Sequence, residues 1–241
     1  AIADANAERL EVVGNRFGVT RLFADASSLF EEVVPDVVAL VLPVRHIKET
    51  VLAAVAAGVR GITTDKPIAA SLADADAMVE ICRDAGVVFG GGNLQRARAD
   101  LQEAAGWLHA GEFGQITGAT LHRWGGGQIS GGGCQDLSIL RLLTGMEVAE
   151  VVAWGQPVHK LADDEDDDGL DINARFTMTN GLVVPAFSYK TPHIGADVWT
   201  DQALIHWEWE ESVKVYSGYD ETGCRIPLDR PFTQAPYPEF W

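Results

Sequence analysis

The chain has few cysteines. Cys82, Cys134 and Cys224 are far apart in 241 residues and form no C-x-x-C or other metal-type spacing. Their scarcity excludes a disulfide-built scaffold and a thiolate zinc centre. It fits a reducing, cytoplasmic setting, in which free thiols are expected to be buried as small core hydrophobes. Positive charge is scarce as well: Lys and Arg total 18 against 35 Asp and Glu, a formal charge of -17. A nucleic acid would be repelled, because phosphate binding needs clustered cations, and the same surplus opposes anionic membrane surfaces. No apolar run approaches the roughly 18 to 20 residues that cross a bilayer. The six histidines lack H-E-x-x-H or comparable ligand spacing, so no metal site is expected. No G-x-G-x-x-G occurs anywhere, and Gly90–Gly92, Gly125–Gly127 and Gly131–Gly133 fall outside any first strand-turn-helix unit. The chain opens on Ala1 and stops at Trp241 without a closing element, which reads as a piece of a longer protein or one stripped of a leader.

What is present divides into two grammars. The first half alternates short apolar runs with helical patterns. Strands are expected at 1–3, 21–23, 36–42, 61–64 and 87–89, and helices at 6–17, 27–32, 47–57 and 72–85. The run DVVALVL at 36–42, closed by Pro43, predicts a strand buried on both faces. Such alternation implies a parallel sheet with right-handed crossovers. After a helix at 98–110, strand-like runs dominate at 116–124, 150–154, 171–179, 182–189, 203–209 and 212–216, interrupted by a helix at 134–144. Asn180-Gly181 between two runs is a two-residue hairpin signal. The fold class expected is α/β: an incomplete Rossmann-type doubly wound parallel sheet, then an α+β domain with a large, mostly antiparallel open sheet. The boundary is expected near residue 95.

The stretch from Asp36 to Leu72 resembles the glucose-fructose oxidoreductase, inositol dehydrogenase and rhizopine-catabolism (Gfo/Idh/MocA) family. A strand ends in Pro43, a helix closes on Ala57-Gly58, and Asp65-Lys66-Pro67 stands where the family carries Glu-Lys-Pro. Asn93 with Arg96, the run Gly111-Glu112-Phe113-Gly114, and Leu142-Leu143-Thr144-Gly145 match in order. The resemblance implies a nicotinamide-dependent oxidoreductase that moves hydride between the cofactor and a hydroxyl-bearing carbon of a sugar or polyol. It implies a dinucleotide-binding domain at 1–95, lacking its first βα unit, and a substrate-binding and oligomerisation domain at 96–241. NAD is the expected cofactor, with NADP as the alternative, and a homodimer or homotetramer built on the second sheet is the expected assembly.

Lys66 reads either as a surface lysine before a helix-starting proline or, with the resemblance, as the group that polarises a forming carbonyl and manages its proton. Asp4 reads either as a helix N-cap or as the carboxylate that accepts ribose hydroxyls and disfavours a 2'-phosphate. The resemblance implies cofactor contacts at Asp4, Pro43, Asp65, Lys66, Pro67 and Asn93. It implies substrate contacts at Lys66, Asn93, Arg96, Gln135 and His193. Relatives place Asp and His at the start of the helix over 134–144; here those positions are Gly131 and Gln135. Gln135 can hydrogen-bond a hydroxyl but cannot accept a proton near neutrality, and the adjacent Asp136 is the candidate substitute, unless it is simply a carboxylate favoured at a helix start. Without a glycine-rich turn for the pyrophosphate, the chain as given is expected to bind NAD weakly or not at all, while a longer parent could still bind it. A non-catalytic sugar-binding member of the same fold is the rival reading, and an isomerase or glycosidase with transient oxidation is a third.

The run Asp164-x-Asp166-x-Asp168-Gly169 mimics a calcium loop, but Arg175 stands at the twelfth position, so a solvated acidic loop is expected. His122 and His193, with Tyr189 and Lys190, are the candidates for a sugar pocket. Trp207 and Trp209 share a strand face by period two. That face must be covered by helices or by another subunit, and the resemblance favours the subunit.

Overall fold

The structure is a computed structural model and describes residues 1–69, 71–122, 124, 129–157, 171–188, 194–209 and 211–233. The chain forms two compact units, Ala1–Gly92 and Asn93–Trp241.

In the first unit, β1 (Ile2–Ala3), α1 (Ala7–Phe17), β2 (Leu22–Phe23), α2 (Ala26–Glu32), β3 (Val37–Leu40), α3 (Ile47–Ala57), β4 (Gly61–Thr64), α4 (Leu72–Asp84) and β5 (Val88–Gly91) follow one another. Capping chemistry sets the helix ends. Asn6, Asp25 and Ser71 each accept a backbone N–H of the first turn of α1, α2 and α4, and α3 stops where Gly58 turns left-handed at φ 90°. Every strand pair is parallel, but β1–β2 and β3–β4–β5 are separate sheets. The doubly wound sheet is therefore interrupted between β1 and β3. This overturns the expectation that β3 is buried on both faces. It lies at the edge of its three-stranded sheet, and Val37 is 64% exposed. Helices α3 and α4 close a small core of Leu40, Ile47, Val51, Ile62 and Met78 against the β3–β5 sheet.

In the second unit, α5 (Ala99–His109), β6 (Ile116–His122) and α6 (Cys134–Thr144) precede β7 (Val148–Gln156), β8 (Asp171–Met178), β9 (Val183–Phe187), β10 (Gly195–Thr200), β11 (Leu204–Glu208), β12 (Lys214–Tyr219) and β13 (Arg225–Pro227). The eight strands run β13-β12-β11-β10-β6-β9-β8-β7, antiparallel at every neighbour except β6–β9. The Asn180-Gly181 hairpin joins β8 to β9, with Gly181 at φ 87° donating to the Met178 carbonyl. Strand β10 was not legible in the sequence, yet it sits between β6 and β11 in the middle of the sheet. Its glycine is required by a close approach: a Cβ at Gly195 would lie 1.9 Å from the Trp207 carbonyl oxygen.

One face of this sheet is packed by α5 and α6. Leu101, Leu108, Ile139 and Leu143 from the helices meet Leu121, Phe176, Val198 and Trp207 from the strands. Trp207 is fully buried there, edge-on to Trp209 at 5.9 Å. The expectation that another subunit covers Trp207 is thus corrected, because the chain's own helices bury it, while Trp209 packs partly buried against the same core. The thiols are corrected too. Cys82 is buried, and burial raises its pKa, but Cys134 and Cys224 are exposed, one at the first position of α6 and the other in the β12–β13 turn. The acidic run at 164–169 lies outside the described residues. Among the described residues no helix is long and apolar enough to cross a membrane, and no cluster of three or more His, Cys, Asp or Glu could hold a metal ion.

A buried ion pair anchors α5. Arg98 and Asp100, 1% and 0% exposed, make a two-point contact, Nη2 to Oδ2 at 2.7 Å and Nε to Oδ1 at 3.1 Å. The Asp100 carboxylate also accepts the backbone N–H groups of Leu101 and Val213, and Arg98 donates to the Glu211 carbonyl. The start of α5 is thereby tied to the chain entering β12.

Candidate functional site

In the first unit, each candidate residue lies within three positions of the C-terminal end of a parallel strand. Ligands of open α/β sheets bind beyond that end. Asp4 follows β1; its backbone N–H donates to the Phe23 carbonyl, and its Oδ1 accepts the Asn6 N–H at 2.8 Å. The N-cap of α1 is Asn6 itself, whose Oδ1 accepts the Arg9 N–H at 2.9 Å. Pro43 follows β3 and opens a single 3-10 turn, Val44–His46. At the end of β4 the Asp65 N–H donates to the Leu40 carbonyl at 3.1 Å, which carries the β3–β4 ladder one step further. Lys66 comes next, half-buried, and its peptide bond to Pro67 is cis, while Asp65 is exposed.

The turn that carries Lys66 folds closely over β5. A Cβ at Gly91 would stand 2.8 Å from Ile68 Cγ2 and 3.1 Å from Thr64 Cγ2. Any side chain at 91 would therefore push the segment after Lys66 outward. A half-buried ammonium with three donors and no acceptor can hydrogen-bond a substrate oxygen and stabilise negative charge developing on it.

In the second unit, the candidate residues gather around the start of α6. Ile129–Gly133 form a π-helical turn that runs directly into α6, and Gly133 supplies no side-chain cap. Such turns are often found at functional sites. Trp124 Nε1 donates to the Gly133 carbonyl at 3.0 Å from within the core. Gln135 is partly exposed, whereas Asp136 is 2% exposed. Asn93 Nδ2 donates to the Gln135 carbonyl at 3.0 Å, while its Oδ1 accepts the Gln95 N–H at 3.0 Å. Arg96 Nη1 reaches the Ser138 carbonyl and hydroxyl, each at 3.4 Å. Asn93 and Arg96 thus meet Gln135 and Ser138, each 42 positions away in sequence, at the first turn of α6. His193, Tyr189 and Lys190 lie outside the described residues.

His122 belongs to a group that the sequence did not reveal. On the sheet face opposite the helices, Asp197 of β10, 4% exposed, is bracketed by His122 Nε2 of β6 at 3.1 Å and His206 Nδ1 of β11 at 2.5 Å. Arg225 Nη2 of β13 stands 3.6 Å away, and its guanidinium lies over the Tyr216 ring. The group is formed across strands, since Asp197 faces His206 directly and His122 pairs with Gly195. Period two was the only available signal, and it was masked by the failure to read β10. Burial pushes the Asp197 carboxyl up, but hydrogen bonds from His122 and His206, together with their charges, outweigh that push and hold it well below the usual carboxylate range.

A depressed carboxylate contributes stability that is present above its unfolded value, near 3.8, and is lost as pH falls toward the lower folded value. Wild type is therefore expected to lose urea stability steeply as pH drops below about 4, and Asp197→Asn to lose less over the same range. Parallel pH curves for the two proteins would contradict this account.

A family model described as "Oxidoreductase family, NAD-binding Rossmann fold" matches residues 1–92. A D-apiose dehydrogenase of Paraburkholderia graminis is 40% identical over 87 residues, which span 36% of this chain and 23% of that protein. The matched stretch is thus about a quarter of the curated relative's length. Among solved structures, an oxidoreductase from Agrobacterium radiobacter in complex with NAD+, L-tartaric acid and magnesium superimposes at TM-score 0.74 with 25% identity, covering 95% of this chain and 70% of that one. An aldose-aldose oxidoreductase from Caulobacter crescentus complexed with glycerol superimposes at 0.76 with 19% identity, covering 98% and 76%, and testifies to the fold alone.

Proposed function

We propose that this chain, whose residues 1–92 match the NAD-binding Rossmann model of the Gfo/Idh/MocA oxidoreductases, carries the proton-handling and substrate-orienting part of a nicotinamide-dependent dehydrogenase acting on a sugar or polyol. The observation that carries this reading is Lys66, half-buried just past the C-terminal end of β4 in the Asp65-Lys66-Pro67 motif. The nicotinamide cofactor, when bound, accepts the hydride leaving the carbinol carbon. Lys66, as the neutral amine, accepts the proton released as the carbonyl forms, and as the resulting ammonium it hydrogen-bonds the carbonyl oxygen. Gln135 orients a neighbouring hydroxyl.

The residues fit a dinucleotide in part. Asp4 spends Oδ1 on the Asn6 N–H and keeps acceptor capacity for ribose hydroxyls, a chemistry that favours NAD over NADP. Pro43, Asp65, Pro67 and Asn93 complete the proposed cofactor contacts, whereas the sequence has no glycine-rich turn to receive the pyrophosphate. Arg96 and His193 are the further candidates for the sugar. A homodimer or homotetramer would use the sheet face opposite α5 and α6, where Val152, Trp154 and Val183 are exposed.

One observation favours a second reading, a non-catalytic sugar-binding protein: Asp136, the substitute acid/base at α6, is 2% exposed. The test, made on the full-length gene product, is a fluorescence titration with NADH, followed by a screen for NAD reduction with D-apiose and a panel of aldoses and polyols. Saturable NADH binding with turnover of at least one sugar is expected. Sugar binding without NADH binding would establish the second reading, and the absence of both would remove the first.

A further inference from the structure

The start of α6 carries three features that let a helix end fray. It follows a glycine-rich π turn, it has no side-chain cap of its own, and Cys134 at its first position is exposed. A group that must orient a substrate has to be held to about 0.5 Å. The residues that supply this hold come from outside the helix. The 3-10 turn Leu94–Ala97 lies along the first turn of α6. Asn93 and Arg96, three apart, engage Gln135 and Ser138, also three apart. Within Asn93 the two ends of the carboxamide have separate tasks: Oδ1 caps the 3-10 turn through the Gln95 N–H, and Nδ2 grips the Gln135 carbonyl.

We propose that Asn93 is a positioning residue for this site: its Nδ2–H, bonded to the Gln135 carbonyl, fixes the first turn of α6 so that the Gln135 side chain meets substrate in one place. The inference rests on the proposed dehydrogenase reading for its catalytic consequence, but not for the contact itself. Arg96 gives the same turn a second, longer hold. Asn93 caps the 3-10 turn Leu94–Ala97, so the grip on α6 comes from the residue that also starts that turn.

The two tasks of Asn93 can be separated. Asn93→Asp keeps an acceptor for the Gln95 N–H but turns an oxygen toward the Gln135 carbonyl, so it loses the grip alone; Asn93→Ala loses both. Both variants are expected to exchange the backbone amides of Ser138 and Ile139 about tenfold faster than wild type, because the turn that shields them is released. On a sugar that wild type oxidises, kcat is expected to fall roughly 10- to 100-fold, the cost of displacing a substrate-orienting group. A residue that merely capped the 3-10 turn would leave Asn93→Asp like wild type in both measurements, and that result overturns the proposal. Faster amide exchange with unchanged kcat also overturns it, because the grip would then have no effect on positioning. If wild type turns over no sugar, the dehydrogenase reading fails and the positioning role falls with it, while the exchange rates still report whether the Asn93–Gln135 bond holds the helix.

Discussion

Replacing Lys66 by methionine is expected to lower sugar oxidation by about 10²- to 10⁴-fold, the usual worth of a positioned proton-transfer group, while NADH affinity changes by no more than a few-fold. Methionine keeps the length and flexibility of the aliphatic stem and removes the ammonium, so the half-buried site after β4 is refilled rather than emptied. Two consequences of the missing amino group act together: no ammonium polarises the forming carbonyl, and no neutral amine accepts the hydroxyl proton. Arginine at the same position separates them. Lys66→Arg retains a cation but cannot release its proton in the working pH range, so it should recover little of the rate if proton transfer dominates, and most of it if electrostatic stabilisation dominates. Steady-state rates of NAD reduction for the three proteins decide the matter. A methionine variant within threefold of wild type would show that Lys66 is a surface lysine ahead of a proline.

The second large effect concerns stability. Asp100→Ala should cost about 3 to 5 kcal/mol, because it removes the two-point carboxylate contact of a guanidinium that is only 1% exposed. It also leaves the Val213 and Leu101 N–H groups without the carboxylate that now accepts them. The double replacement Arg98→Met with Asp100→Leu should lose much less than Asp100→Ala alone, since apolar side chains of similar size remove both the charges and their desolvation cost. Urea unfolding followed by tryptophan fluorescence is the appropriate measurement. All seven tryptophans lie at position 107 or beyond, so the signal reports the second unit, where the ion pair sits. A single variant that costs less than about 1 kcal/mol would mean that water replaces the lost carboxylate.

How much of this was legible in the sequence depended on whether the signal was local. Helix ends were readable because caps act within three or four residues, as at Gly58 after α3. The Asn180-Gly181 hairpin was readable for the same reason. Strand β10 was missed: Gly-Ala-Asp-Val-Trp-Thr offers an acidic residue and two small ones where a central strand is usually aliphatic. It belongs in the centre because Gly195 admits the Trp207 carbonyl and because two imidazoles stabilise the charge of Asp197. Neither reason is local, since β6 lies more than 70 positions before β10. At the candidate site, Lys66 and Gln135 could be named from motif position. The bond from Asn93 to the Gln135 carbonyl could not, because a backbone acceptor leaves no trace in residue identity.

The two cores differ in a way that bears on which amino-acid changes the chain can absorb. The fully buried members of the β3–β5 core are Leu, Ile, Val, Ala, Met and Cys, whereas the larger core interlocks tryptophan and phenylalanine rings from strands and helices. Aliphatic side chains of similar volume exchange at modest cost, while an indole fixed edge-on against a neighbour has no equivalent of its shape. Sequence drift should therefore run fast through the interior of the nucleotide-fold half and slowly through the sheet-and-helix half.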